Sequence, residues 1–313
     1  MTMKVSVIGA GNVGATCADV LAKREVCNEV VLLDIKENFA EGKALDIWQT
    51  APINLYDTRV TGSTNDYSKT AQSDVVVITS GLPRKPGMSR DDLIATNAKI
   101  VREVTEQVVA HSPEAIIICV SNPLDVMTYA TYLSAKLPKE RVMGMAGILD
   151  TARYRAFIAD EIQCSPKDIQ AILMGGHGDS MAPLPRYTTV SGIPLTELIP
   201  ADRIQAIVER TKKGGGEIVN LLGTSAWYAP GAAAAQMAEA ILRDQHKIVP
   251  CCAKLDGAYG LKDVFMGVPV KLGRSGIEQI IELDLNDDEK QLVNASADHV
   301  REVMGVLDNM EPA

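Results

Sequence analysis

Positive charge is in the minority in this sequence: 31 Lys and Arg stand against 40 Asp and Glu, a net charge of −9. No Lys/Arg block stands out, so a nucleic-acid surface is not expected. Any anion site must be assembled from a few placed cations. Aromatic residues are scarce too, at 4%. The core must then be aliphatic, which suits parallel strands buried on both faces. No apolar run approaches the ~18–20 residues of a membrane-crossing helix. Met1-Thr2-Met3-Lys4 runs straight into an apolar segment without the layout of a secretory signal. Cys17, Cys27, Cys119, Cys164, Cys251 and Cys252 form no Cys-x-x-Cys pair, and the last two are adjacent, a poor spacing for a metal. The pattern reads as reduced thiols in a cytoplasmic protein, with no metal site expected.

What is present has the size of about two domains, at 313 residues. In the first half, short apolar runs at Lys4–Ile8, Val30–Leu33, Val75–Thr79 and Ile116–Val120 alternate with helical spacing at Asn12–Lys23 and about 91–110. Such alternation predicts right-handed crossovers and an α/β, doubly wound parallel sheet over residues 1–145. Beyond that the texture changes. Tyr187–Val190 and Ile193–Leu195 flank Ser191-Gly192, and Val264–Leu272 and Ile277–Leu283 flank Gly273-Arg274-Ser275-Gly276. Both read as hairpins, so residues 146–313 are expected to form an α+β domain with antiparallel strands. A last helix is expected after Asn286, with Glu289 completing a capping box. Leu292, Val293, Val300, Val303, Met304 and Leu307 would be its buried stripe. Gly214-Gly215-Gly216 should weaken an otherwise helical stretch, marking a kink or close packing.

Gly9-Ala10-Gly11-Asn12-Val13-Gly14 is a G-x-G-x-x-G that follows a strand and opens a helix. Gly9 permits the tight turn, Gly11 lets a pyrophosphate reach the backbone, and Gly14 lets helix and strand pack closely. Asp34, at the end of the second strand, can accept hydrogen bonds from ribose hydroxyls and repel a 2′-phosphate, which favours NAD over NADP.

A hydride-transferring site for a hydroxy acid needs a base, a group to hold it, and cations for the reacting oxygen and the carboxylate. His177 is the best base, because the glycines of Gly175-Gly176-His177-Gly178 expose its ring. His111, His246 and His299 have no comparable setting. Asp150 and Arg153, spaced i, i+3, share a helix face. Asp150 could hold the His177 tautomer and Arg153 grip a carboxylate. A helix cap with a surface ion pair would give the same spacing, and His177 could be a structural histidine in a turn. Arg84, Lys85 and Arg90 lie in a Pro/Gly-rich stretch after the third strand. It could close over an anionic substrate, or be a solvated basic loop.

Taken together, GAGNVG, GLPRKPGMSRDDL, VSNPLD, GILDTARYR, GGHGDS and GTSAWYAP resemble the lactate/malate dehydrogenase family along the whole chain, and its lactate-dehydrogenase-like malate branch most closely. The resemblance implies that His177 is the acid/base, Asp150 its partner, Arg153 the carboxylate-binding arginine, and Arg90 the arginine that polarises the C2 oxygen. It implies that Asn122 touches substrate and nicotinamide, and that Asn12, Asn97 and Val120 join Gly9, Gly11, Gly14 and Asp34 around NAD. Arg84 matches the discriminating position, where lactate-specific members carry glutamine. The implied reaction interconverts malate and oxaloacetate. A lactate or other 2-hydroxy acid enzyme remains the alternative, beside an NADH sensor without turnover and a zinc alcohol dehydrogenase, which the lack of a Cys/His ligand set opposes. The extended N-terminal arm of some lactate dehydrogenases has no counterpart before Lys4. The family implies a homo-oligomer, a tetramer favoured over a dimer, with no nucleic-acid or membrane partner.

Overall fold

The computed structural model describes residues 2–82, 91–178 and 180–309, together with the backbone of Arg90. Along the chain run β1 (Lys4–Ile8), α1 (Asn12–Lys23), β2 (Glu29–Asp34), α2 (Phe39–Gln49), α3 (Ala51–Asn54), β3 (Arg59–Thr64), β4 (Val75–Ile78), α4 (Arg90–His111), β5 (Ile116–Cys119), α5 (Leu124–Ala135) and β6 (Val142–Gly144). Then follow α6 (Ala146–Ile162), β7 (Ile169–Gln170), β8 (Leu173–Met174), β9 (Ala182–Pro183), β10 (Thr189–Val190), β11 (Ile193–Pro194), α7 (Leu195–Leu198) and α8 (Ala201–Leu222). The chain closes with α9 (Tyr228–Leu242), β12 (Lys247–Asp256), β13 (Lys262–Gly273), β14 (Gly276–Ile280) and α10 (Asp287–Asp308).

The main sheet has the order β14-β13-β12-β6-β5-β4-β1-β2-β3. Strands β3 to β6 on one side are parallel, in the doubly wound arrangement expected from the alternating pattern. β4 and β5 are fully buried, as continuous aliphatic runs demand. The chain reverses its winding between β1 and β4, and a crevice at the carboxyl ends of those strands is where such sheets take ligands. Three strands of this sheet lack a clear sequence signal. β3 (RVTGST) is an edge strand with few apolar residues, and its Gly62 lies where a Cβ would collide with the α2 backbone at Glu41. β6 has only three residues. β12 carries Pro250 opposite Pro269 of β13, and proline argues against an interior strand.

β12 joins the parallel sheet through Cys252 opposite Gly144, so the antiparallel strands of the second half extend the first sheet. Both expected hairpins form. Ser191 and Gly192 take positive φ between β10 and β11, and β13 turns into β14 through Gly273–Gly276. β14 ends at Ile280, short of Leu283. α10 has the expected capping box, with Asn286 and Glu289 exchanging backbone-to-side-chain hydrogen bonds of 2.9 Å each. Val293, Val300, Val303, Met304 and Leu307 are buried, but Leu292 is 49% exposed: Ser296 and Ala297 complete the packed face instead. Gly214 to Gly216 do not break α8, which runs through them as helix. Among the described residues no helix is long and apolar enough to cross a membrane.

Candidate active site

The first half of the site is a cleft of about 720 Å³ at the switch point, lined by Gly9, Gly11, Asp34, Thr79, Ser80 and Gly81 among others. Gly9 has φ +107 and donates its N–H to the Leu33 carbonyl at 2.7 Å, which ties the end of β1 to β2. A Cβ on Gly14 would collide with the Gly9 carbonyl, whereas a Cβ on Gly11 would meet nothing within 4 Å. The close-packing glycine and the open one are those the motif requires. Gly11 is the N-cap of α1 and no side chain caps it, so the first-turn N–H groups are left for an anion. Asn12 opens α1 and is exposed. Asp34 accepts the N–H groups of Ala10 at 2.7 Å and Lys36 at 3.0 Å, holding its carboxylate at the cleft wall. This cradle fits the adenosine and pyrophosphate portions of NAD.

Two further residues lie deeper than the cleft surface. Val120 is buried and extends β5 by donating to the Ile78 carbonyl at 2.8 Å. Asn97 is 1% exposed. Its carboxamide accepts the Leu82 N–H at 2.8 Å and donates to the carbonyls of Leu82 at 3.1 Å and Asn122 at 2.7 Å. It therefore joins the strand end after β4 to the exposed Asn122 after β5. Arg84 lies outside the described residues. Arg90 starts α4, and its side chain is likewise outside them.

The second half of the site is built around the turn after β8. Its three successive N–H groups are held from three different elements. Gly175 exchanges two 2.9 Å hydrogen bonds with Gly267 of β13. Gly176 donates to Ser296 Oγ of α10 at 2.8 Å. His177 donates its backbone N–H to Asp125 Oδ2 of α5 at 2.8 Å. Gly175 and Gly178 take φ of +89 and +103, which side chains resist. At Gly176 a Cβ would lie 2.6 Å from Val300 Cγ2.

The fourth element is α6. Asp150 is 2% exposed, and its Oδ2 sits 2.8 Å from His177 Nδ1. A carboxylate only accepts, so in the neutral ring Nδ1 carries the hydrogen and Nε2 the lone pair. Asp150 Oδ1 takes a 3.1 Å hydrogen bond from Arg153 Nη1. One buried carboxylate thus links the base and the guanidinium. Helix α6 begins at Ala146, so Asp150 lies inside it and is no surface cap. Burial is the largest influence on His177 and opposes its charged form. The charge and hydrogen bond of Asp150, with the charge of Asp125, outweigh it, and the imidazole pKa is raised above 6.5. Folding therefore gains from the His177 charge fully below 6.5, and that gain is lost as pH rises through the folded-state pKa.

Arg153 Nε is buried without a hydrogen-bond partner among the described residues. A Cβ on Gly214 would come within 3.1 Å of Arg153 Cδ, so the glycines of α8 give the guanidinium stem its room. A second hollow of about 250 Å³ opens beside the ring, lined by Asn122, Asp125, His177, Ser180 and His299. Asp125 escaped the sequence reading, because it resembles an ordinary first-turn acid; His299, set aside there, is exposed on α10 and reaches this hollow only through long-range packing of that helix. The one group of His, Asp and Glu with metal-ligand proximity among the described residues, Asp244, His246 and Glu278, shares no residue with this site.

Residues 3–144 match the lactate/malate dehydrogenase NAD binding domain, and residues 148–308 the alpha/beta C-terminal domain of the same family. The malate dehydrogenase of Cytophaga hutchinsonii is 71% identical over 308 residues, covering 98% of this chain and 99% of its own. That of Salinibacter ruber is 62% identical over 298 residues, 95% of each chain. Its solved structure superposes with a TM-score of 0.94 at 59% identity, covering 98% of both chains. A lactate dehydrogenase from Cryptosporidium parvum, solved with lactic acid and NAD, has a TM-score of 0.95 at 40% identity over 99% of each chain. With the glycine cradle in the first half and the His177–Asp150–Arg153 group in the second, both halves lead to one conclusion: the chain belongs to the lactate/malate dehydrogenase family.

Proposed function

We propose that the protein catalyses the reversible, NAD-dependent oxidation of (S)-malate to oxaloacetate. The observation that carries this is the shared carboxylate of Asp150, which holds His177 by Nδ1 and Arg153 by Nη1. Bound in this cleft, NAD would supply the hydride acceptor for C2 of malate, and NADH the donor for oxaloacetate. Gly9, Gly11, Asn12, Gly14, Asp34, Asn97, Val120 and Asn122 form its site, with Asn97 acting through Leu82 and Asn122. His177 Nε2 takes the C2 hydroxyl proton during oxidation and returns it during reduction. Asp150 stabilises the imidazolium formed between. Arg153 binds the C1 carboxylate with donors not committed to Asp150. Arg90 polarises the C2 oxygen, and Arg84 pairs with the second carboxylate that distinguishes this substrate from lactate or pyruvate.

The account gives a pH dependence. Reduction needs the imidazolium and oxidation the neutral ring. Asp150→Asn removes the charge that raises the His177 pKa, so the alkaline limb of reduction and the acidic limb of oxidation both move to lower pH. At neutral pH oxaloacetate reduction should fall by at least about 10-fold. Profiles of kcat/KM in both directions check this; unmoved limbs would remove Asp150 from proton transfer. Gly214→Ala pushes Arg153 by a few tenths of an ångström. It should raise KM for oxaloacetate a few-fold while helix propensity favours alanine by ~1 kcal/mol. An unchanged KM would detach Arg153 from substrate binding.

All six cysteines are free and five are buried, which supports a reducing, cytoplasmic setting. Burial pushes Cys17 and Cys27 up to about 12, which keeps these thiols protonated. The protein acts there as a homo-oligomer, a tetramer in preference to a dimer, within the tricarboxylic acid cycle. Exposed Leu55, Leu221 and Tyr228 are the kind of surface that self-association covers.

A further inference from the structure

Asp125 is the second residue of α5 and only 7% exposed. Its Oδ2 accepts the His177 backbone N–H, while its buried Oδ1 has no hydrogen-bond partner among the described residues. A carboxyl left half-satisfied in the interior is costly unless something else requires it. Three influences around it favour its ionised form: the hydrogen bond from the His177 N–H first, then the charge of the His177 imidazolium, then a hydrogen bond from the Cys252 thiol. The N-terminal end of α5 suits an anion as well. Burial is the largest opposing influence and raises the Asp125 pKa.

We propose that Asp125 is a positioning residue, holding the backbone of His177 from below and supplying, with Asp150, a second negative charge that favours the imidazolium. This rests on the reading of His177 as the acid/base. The groups around it are consistent with that role. From β12 comes Cys252, whose thiol burial, first, and the Asp125 charge, second, hold well above the usual range, so that it stays neutral. From α6 comes Asp150, whose charge adds to the same field, with Arg153 as the opposing cation at the ring. From α10, His299 lines the same hollow. Asp179, two residues past His177, lies outside the described residues. Two carboxylates thus act on one imidazole from opposite attachments: Asp150 fixes the ring at Nδ1, and Asp125 fixes the main chain that carries the ring.

The test compares Asp125→Asn, which keeps an acceptor for the His177 N–H and loses the charge, with Asp125→Glu, which keeps the charge. The first readout needs no substrate: the imidazole NMR titration of His177, assigned by its loss in His177→Ala. The midpoint of Asp125→Asn should lie below that of the wild type, and that of Asp125→Glu beside it. The second readout is the pH profile of oxaloacetate reduction. On its alkaline side kcat/KM of Asp125→Asn should fall about 3- to 10-fold, with little change on the acidic plateau. An unmoved midpoint, or an equal drop in both variants, would overturn the proposal and leave Asp125 a packing residue. So would a loss of rate that is uniform in pH. If the wild type reduces no 2-oxo acid, the proposed function fails, and the NMR titration still decides the role of Asp125.

Discussion

His177→Ala should abolish nearly all turnover while NADH still binds. The expected loss in kcat is about 100- to 10,000-fold, the contribution of a positioned acid/base. The geometry makes the two effects separable. The glycine cradle and Asp34 lie at the ends of β1 and β2, whereas His177 sits on a turn held by β13, α10, α5 and α6. Truncation leaves the backbone hydrogen bonds of that turn intact. It also leaves Asp150 paired with Arg153, so no buried charge is stranded. Fluorescence titration with NADH and steady-state kinetics on the same preparation read the two consequences. Retained turnover would remove His177 from the chemistry; loss of NADH binding would indicate that the turn, not the ring, had failed.

Arg84→Gln should move preference from oxaloacetate toward pyruvate. Oxaloacetate carries a second carboxylate where pyruvate has a methyl group. A guanidinium in a closed site is matched by the first and left without a partner by the second. Losing the partner of a desolvated charge costs about 2–5 kcal/mol. That corresponds to roughly 30-fold to several-thousand-fold in selectivity, at ~1.4 kcal/mol per decade. Glutamine removes the charge but keeps a polar side chain of similar length. The ratio of kcat/KM for the two substrates is the measurement. If it stays where the wild type has it, Arg84 does not meet the distal group of the substrate.

Much of this architecture is legible in the sequence because its signals are local. Continuous aliphatic runs give β1, β2, β4 and β5, and the glycine motif gives the β1–α1 turn. Asn286 and Glu289 announce the start of α10 by chemistry that acts over three residues. What is not legible depends on contacts between distant segments. β12 contains a proline and is a strand only because β6 and β13 flank it. Leu292 has the right spacing for the buried stripe, yet Ser296 takes the inward place because its hydroxyl receives the Gly176 N–H. The same holds at the site. The i, i+3 spacing brings Asp150 and Arg153 together, but their burial comes from packing and cannot be counted along the chain. Gly214 is a puzzling helix residue until Arg153 is seen beside it. Asp125 belongs to a motif visible in the sequence, but its bond to His177 spans 52 residues.

The most direct test is steady-state oxidation of NADH by the purified wild-type protein, with oxaloacetate and pyruvate supplied separately. Fast turnover with oxaloacetate and a kcat/KM for pyruvate lower by at least about 30-fold is expected. Preference for pyruvate, or no turnover with either by a protein that still binds NADH, would contradict the assignment of malate and oxaloacetate as its substrates.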